Sequence, residues 1–180
     1  MFQETNPCFT YCPKCSSKSF ISKDNGRSFR CEDCHFNYYV NNSAAVACLI
    51  FNDLGELLLT RRAFDPNKGM LDLPGGFVEP EESAEEAVYR EIMEELNLEV
   101  TEMNYLVSFT NMYPFSGMVV PTVDLAFYCK VESFDQLNPD DDVASVEFIH
   151  PAKIPMDDLC ANSMRQIIHY YINSKNIKPI

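Results

Sequence analysis

Two cysteine pairs, CPKC at Cys12 and Cys15 and CEDC at Cys31 and Cys34, stand fifteen residues apart near the start of the chain. The segment that carries them, CPKCSSKSFISKDNGRSFRCEDC, is polar and poor in aliphatic side chains. It cannot bury an adequate core of its own, so it folds only if something staples it. Five of the eight cysteines fall in the first 34 residues, while Cys48, Cys129 and Cys160 are scattered in apolar surroundings. Matched pairs in a cluster read as metal binding rather than as the disulfide framework of an oxidising compartment. A redox role for one pair would need a strand-helix context that this segment lacks. Four thiolates fill a tetrahedral zinc shell with no open position, so the expected ion is a structural Zn2+ that supplies folding free energy. Cys8 and His35 are left outside the ligand set.

The segment resembles a zinc ribbon and sets a first unit at residues 1–40. Lys14, Lys18, Lys23, Arg27 and Arg30 lie in it, which leaves open both a nucleic-acid contact and a plain solvated surface. The chain as a whole carries a net charge of −13, and a field of that sign does not draw nucleic acid or an anionic membrane. The longest apolar run, AAVACLIF at 44–51, is too short to cross a bilayer, and the start lacks the pattern of a signal peptide. A soluble cytoplasmic protein is the expectation.

After residue 40 the texture changes. SAAVACLIF reads as a strand, NDLG as a turn, and ELLLTRR as the second arm of a hairpin. A Pro- and Gly-rich loop, FDPNKGMLDLPGG, follows. Ser83 with Glu86 three residues on has capping-box spacing, and the helix it opens is expected to reach Leu96 and to end at Asn97, a residue that tolerates a left-handed conformation. Further strands are expected near 99–109, 118–131 and at VASVEFI, and a last helix from about Asp157 to Asn173. The NPDDD loop at 138–142 reads as solvated. Irregular alternation with a hairpin favours a mixed sheet with helices on its faces, an α+β architecture.

On the central helix, Ala84, Val88, Ile92 and Leu96 make the apolar stripe. Glu91 and Glu95 project close to that stripe and Glu94 lies on its edge, so these carboxylates do not sit on the solvent side. Residues 79–99 contain nine Glu and one basic residue, Arg90. Like charges at this spacing repel and are costly to bury, and a hard divalent cation with oxygen ligands, Mg2+ or Mn2+, would offset them.

The span from Gly76, GFVEPEESAEEAVYREIMEELNL, resembles the Nudix box: a glycine, five residues, Glu82, seven residues, Arg90-Glu91, an aliphatic Ile92, one residue, Glu94-Glu95, and Leu98. Its one departure is Asn97, where the pattern has glycine. The resemblance runs back over LLLTRRAFDPNKGMLDLPGG and forward to about residue 172. It implies an α/β/α Nudix sandwich over residues 41–180. It also implies metal-dependent hydrolysis of a phosphoanhydride in a nucleoside diphosphate linked to another moiety. By the same resemblance Glu91, Glu94, Glu95 and the carbonyl of Gly76 would hold the metal, while Arg90 and Glu82 would pair and orient the acids. Gly75 and Gly76 would admit the phosphates.

Arg62, at the end of a strand before the box, is a candidate phosphate ligand. Tyr113 is a candidate for stacking on a base, and Glu147 or the 140–142 aspartates are candidates for the base in catalysis. A ribbon ahead of such a domain resembles the NADH pyrophosphatase group, but that group's SQPWPFPxS motif is represented here only by SFTNMYPFSG at 108–117, and the chain has no tryptophan. The substrate therefore stays open among ADP-ribose, NADH and nucleotide sugars. The alternative is a nucleotide-sensing module whose ribbon binds a protein or nucleic acid. Many relatives dimerise, which makes a homodimer a further expectation.

Overall fold

The computed structural model describes residues 9–174. The chain divides into two compact units, Met1–Asn42 with Met112–Pro121, and Ser43–Asn111 with Thr122–Ile180.

In the first unit, β1 (Phe20–Lys23), β2 (Ser28–Cys31) and β3 (Asn37–Tyr39) form an antiparallel sheet in the order β1-β2-β3. Phe20, Phe29, Cys12 and Cys31 are its buried centre, with Phe9, Phe36 and Tyr38 packed around them. So few apolar side chains make a core that depends on the cysteine cluster for its closure.

The second unit is built on β4 (Ser43–Ile50), whose side chains alternate between two cores. Val46, Cys48 and Ile50 face one cluster with α1 (Ala84–Leu96), while Ala47 and Leu49 face a second cluster with α2 (Asn162–Asn173). A strand buried on both faces reads as a continuous apolar run, which is why VACLI lacks polar alternation. The result is a helix on each face of a mixed sheet arrangement, the α+β sandwich expected.

β4 pairs parallel with β8 (Met118–Val131), in register from Ser43 opposite Thr122 to Ile50 opposite Cys129, and β7 (Val100–Phe115) lies beyond β8. β5 (Leu57–Arg62) pairs antiparallel with β9 (Val143–Ile149) on one side and with the short β6 (Leu71–Asp72) on the other. The expected hairpin of residues 43–62 is thus only a turn. Asn52 closes it through bonds to Leu54 and Glu56, and Phe51 bridges Leu57, but the two arms then enter different sheets. β4 finds its partner in β8, and β5 finds its partner in β9, because each sheet covers one side of a core that the other completes.

The last helix also starts later than its periodicity predicts. Residues 156–158 form a short 3₁₀ turn, Leu159 bridges Leu71, and the Cys160 amide donates to the Leu71 carbonyl at 2.8 Å. Leu159 is fully buried in that extended stretch, so its apolar spacing belongs to a strand contact and not to a helix. β7 runs six residues past the expected strand end at 109.

α1 ends where expected. Asn97 is left-handed at φ 53°, ψ 42°, and its amide reaches the carbonyls of Ile92 and Met93. We expect Asn97→Val to destabilise the chain by about 1–2 kcal/mol more than Asn97→Gly, the cost of a β-branched residue in that conformation; coincident urea midpoints for the two variants would show that the left-handed turn is not required.

Candidate active site

α1 begins with both halves of a capping box: the Ser83 hydroxyl accepts from the Glu86 amide, and the Glu86 carboxylate accepts from the Ser83 amide at 2.8 Å. This fixes the rotation of the helix as well as its start. Ala87, Val88, Ile92 and Leu96 are completely buried against β4 and β8. That burial, worth about 1.5–3 kcal/mol for each large side chain, forces the adjoining Glu91 and Glu95 inward. They are 8% and 5% exposed, whereas half of the Glu94 side chain meets solvent.

The turn at Pro74–Gly76 runs along β4, with the Cys48 amide bonded to the Pro74 carbonyl and the Val46 amide to the Gly76 carbonyl, both at 2.8 Å. Two close approaches follow. At Gly75, with φ 134°, an added Cβ would stand 2.2 Å from the Val46 carbonyl oxygen, and the Gly75 amide donates to Glu95 Oε2 at 2.9 Å. At Gly76 an added Cβ would meet Glu91 Oε1 at 2.4 Å. Any side chain at these positions would displace the turn or the carboxylate it holds.

Arg90 organises the rest. Its Nε and Nη2 take both oxygens of Glu82 at 2.8 and 2.9 Å, Nη2 also reaches the Phe77 carbonyl, and Nη1 donates to Glu91 at 2.8 Å and Glu94 at 3.1 Å. Beside this guanidinium, Glu82 is held down at about 2. A bidentate pair of this kind is directional, so it orients as well as neutralises. Glu95 behaves differently. Burial raises its pKa well above the ordinary carboxylate range, and the Asp142 and Glu91 carboxylates raise it further, against the opposing pull of the Gly75 amide. Burial likewise pushes Glu91 up.

The structure brings together Glu82, Arg90, Glu91, Glu94, Glu95, Gly75 and Gly76. Arg62 donates to the Pro66 carbonyl at 2.9 Å and pairs with Asp72 at 3.1 Å. Glu147, on β9, pairs with Arg61, which also holds Asp158 and the Gly69 carbonyl. Both arginines thus fasten the loop between β5 and β6. Tyr113 lies on β7 in the first unit, stacked on Phe115 with ring centres 6.2 Å apart.

The residue that sequence reading undervalued is Asp142. Its loop is more than a solvated run: the Asn138 and Asp140 amides cap the carbonyls of Leu96 and Glu95, each at 3.0 Å. The Asp142 carbonyl accepts from Ala63 at 2.7 Å, and its carboxylate is one of the charges that raise the pKa of Glu95. Nothing in linear spacing ties residue 142 to residue 95; the unbalanced acid run was the sole signal.

A divalent cation suits this oxygen set. Two buried carboxylates with raised pKa values, one exposed carboxylate and a backbone carbonyl are hard donors whose mutual repulsion a cation relieves. The cysteine quartet offers a separate site. Among the described residues its four sulfurs lie within 4.8 Å of one another, with Cys12 and Cys34 3.7 Å apart and Cys15 and Cys31 3.6 Å apart. Metal–sulfur bonds of about 2.3 Å place tetrahedral sulfurs about 3.8 Å apart, so the spacing fits zinc.

With this geometry in place, comparison with known proteins is decisive at the level of family. The model of the NUDIX domain matches residues 41–171. The chain belongs to the Nudix family. An NAD-capped RNA hydrolase NudC of Pseudomonas syringae pv. tomato is 25% identical over 169 residues, 94% of this chain and 58% of that protein. An ADP-ribose pyrophosphatase of Methanocaldococcus jannaschii is 42% identical over 82 residues, 46% of this chain and 44% of that protein. This Nudix chain spans about half the length of these relatives. Its fold is shared with a crystal structure of a NUDIX hydrolase from Nitrosomonas europaea, at TM-score 0.69 and 22% identity, covering 93% of each chain. It is also shared with the NUDIX domain of Shewanella oneidensis NrtR complexed with ADP ribose, at TM-score 0.58 and 22% identity, over 74% of this chain and 88% of that one. The family implies a divalent metal. No helix among the described residues is long and apolar enough to cross a membrane.

A carboxyl whose folded pKa is raised contributes stability that is present below its unfolded pKa, near 4.5, and lost as pH rises through the folded value. We therefore expect Glu95→Gln to stabilise the metal-free chain at pH 7 and the gain to vanish by about pH 4. Thermal unfolding across that range would show it, and a loss of stability at pH 7 would contradict it.

Proposed function

We propose that this chain is a metal-dependent pyrophosphohydrolase that cuts a phosphoanhydride in a nucleoside diphosphate linked to a second moiety, of the ADP-ribose, NADH or nucleotide-sugar type. The observation that carries this reading is the pair of buried carboxylates, Glu91 and Glu95, held against a glycine turn with Glu94 open to solvent beside them. The curated relatives act on substrates whose names fit that class.

Mg2+ or Mn2+ bound by Glu91, Glu94, Glu95 and the Gly76 carbonyl would neutralise the approaching phosphates and lower the pKa of water. The chain's own residues do the remaining work. Arg90, locked by Glu82, fixes the directions of the Glu91 and Glu94 carboxylates. Gly75 and Gly76 leave backbone, not side chain, at the surface a diphosphate approaches. Asp142, in the loop whose amides cap the end of α1, is the carboxylate beside this ligand set that can accept a proton released from attacking water.

The proposal includes one structural zinc on Cys12, Cys15, Cys31 and Cys34. We expect elemental analysis to find one zinc per chain, and Cys31→Ser to lose both the ion and the order of residues 9–40; a metal-free but ordered amino-terminal unit would refute the assignment.

The activity itself is tested with a panel of dinucleotides and nucleotide sugars. Release of a nucleoside monophosphate should require Mg2+ or Mn2+, and Glu94→Gln should reduce kcat by at least about 100-fold, the scale of losing a group that stabilises transition-state charge. Tight binding without turnover across the panel would point instead to a nucleotide sensor.

A further inference from the structure

We propose that the exposed face of the amino-terminal sheet binds single-stranded nucleic acid. The register of that sheet sorts its side chains cleanly. Phe20 stands opposite Cys31, and Ser22 opposite Phe29 and Phe29 opposite Tyr38, so these residues share the face turned to the cysteine cluster. Ile21, Arg30 and Asn37 are directly opposite one another, as are Lys23, Ser28 and Tyr39, and these make up the other face.

Ser28, on the middle strand, is buried, and the rest of that second face is open. Lys23, Arg30 and Asn37 are exposed, Ile21 is 42% exposed, and Tyr39 is 64% exposed, the second most exposed large apolar or aromatic side chain described. Next to it, Arg27 is exposed at the end of the β1–β2 turn. Among the described residues none of Lys14, Lys18, Lys23, Arg27 and Arg30 takes part in an ion pair. Among the described residues, Asp24 is the acid at this end of the sheet, and the Ser28 hydroxyl engages it at 2.7 Å.

Charge selects the occupant. Residues 9–42 hold five basic and three acidic side chains, whereas residues 43–180 hold nine basic and 23 acidic. The chain's net charge repels polyanions at long range, but screening over about 8 Å at physiological salt leaves a local cationic patch free to act. Cations alone would accept any polyanion. An exposed tyrosine flanked by lysine and arginine on a flat sheet adds a surface on which an unpaired base can stack, while the cations track its backbone. Three strands about 4.8 Å apart, two of four residues and one of three, give a platform of roughly 10 by 10–13 Å, room for about two nucleotides. This inference uses no residue of the carboxylate site and stands apart from the proposed hydrolysis.

The test is fluorescence anisotropy of a labelled single-stranded RNA of about twelve nucleotides, titrated with the zinc-loaded full chain. Binding should weaken with salt, and Lys23→Glu with Arg30→Glu should reduce the slope of log affinity against log salt by about 1.4. Tyr39→Ala should weaken binding roughly tenfold at constant salt slope, the signature of lost stacking. All three side chains are exposed, and zinc content reports whether each variant keeps its fold. Hydrolysis of a small dinucleotide should be unchanged. The proposal falls if wild type does not bind at low salt, if the variants bind as wild type does, or if inorganic polyphosphate of equal charge competes as well as RNA. It falls equally if sedimentation shows that Tyr39→Ala dissolves a dimer formed through this face.

Discussion

Much of the second unit depends on a conflict between two demands made on one helix. α1 must bury Ala87, Val88, Ile92 and Leu96 to hold the sheet, and that rotation carries Glu91 and Glu95 into the same protected layer. Buried carboxylates are unfavourable unless bonded or matched by charge. The surroundings answer piece by piece: the Gly75 amide bonds Glu95, and Arg90 bonds Glu91. Two glycines let the chain come close enough for this to happen. Burial first, and then the Asp142 and Glu91 carboxylates, still raise the pKa of Glu95. The family implies a divalent metal, and a cation held here would offset those charges.

Arg90 illustrates how the same charge can serve structure and chemistry. The sequence offers one basic residue against nine glutamates between 79 and 99, which is too little to neutralise them. Its fork nevertheless reaches Glu82, Glu91, Glu94 and the Phe77 carbonyl, so it acts chiefly as a positioning clamp. Arg61 and Arg62 end a strand before the box, and in the fold they fasten a loop through Glu147, Asp158 and Asp72.

The first unit solves a different problem by different means. It has only a handful of apolar side chains, and its sheet closes over four sulfurs spaced for a tetrahedral ion. Once the inner face is committed to that cluster, the pleat sends Lys23, Arg30 and Tyr39 outward together. Their grouping is a consequence of register.

Periodicity and spacing by themselves determined the helix from Ser83 to Asn97, the inward turn of Glu91 and Glu95 and the cysteine quartet, whereas the sandwich followed from the resemblance to the Nudix box. The first three follow from local geometry: the angular step of a helix, the capping box, the reach of a two-residue knuckle. Tertiary structure alone decided where residues distant in the chain would meet. It parted β4 from β5, turned Leu159 into a bridge to Leu71, set Asp142 among the acids around Glu95 and drew Arg61 to Glu147. Those choices depend on which strands complete which core, and that packing energy is shared among residues 50 to 100 positions apart, beyond the range of any pattern in a short window.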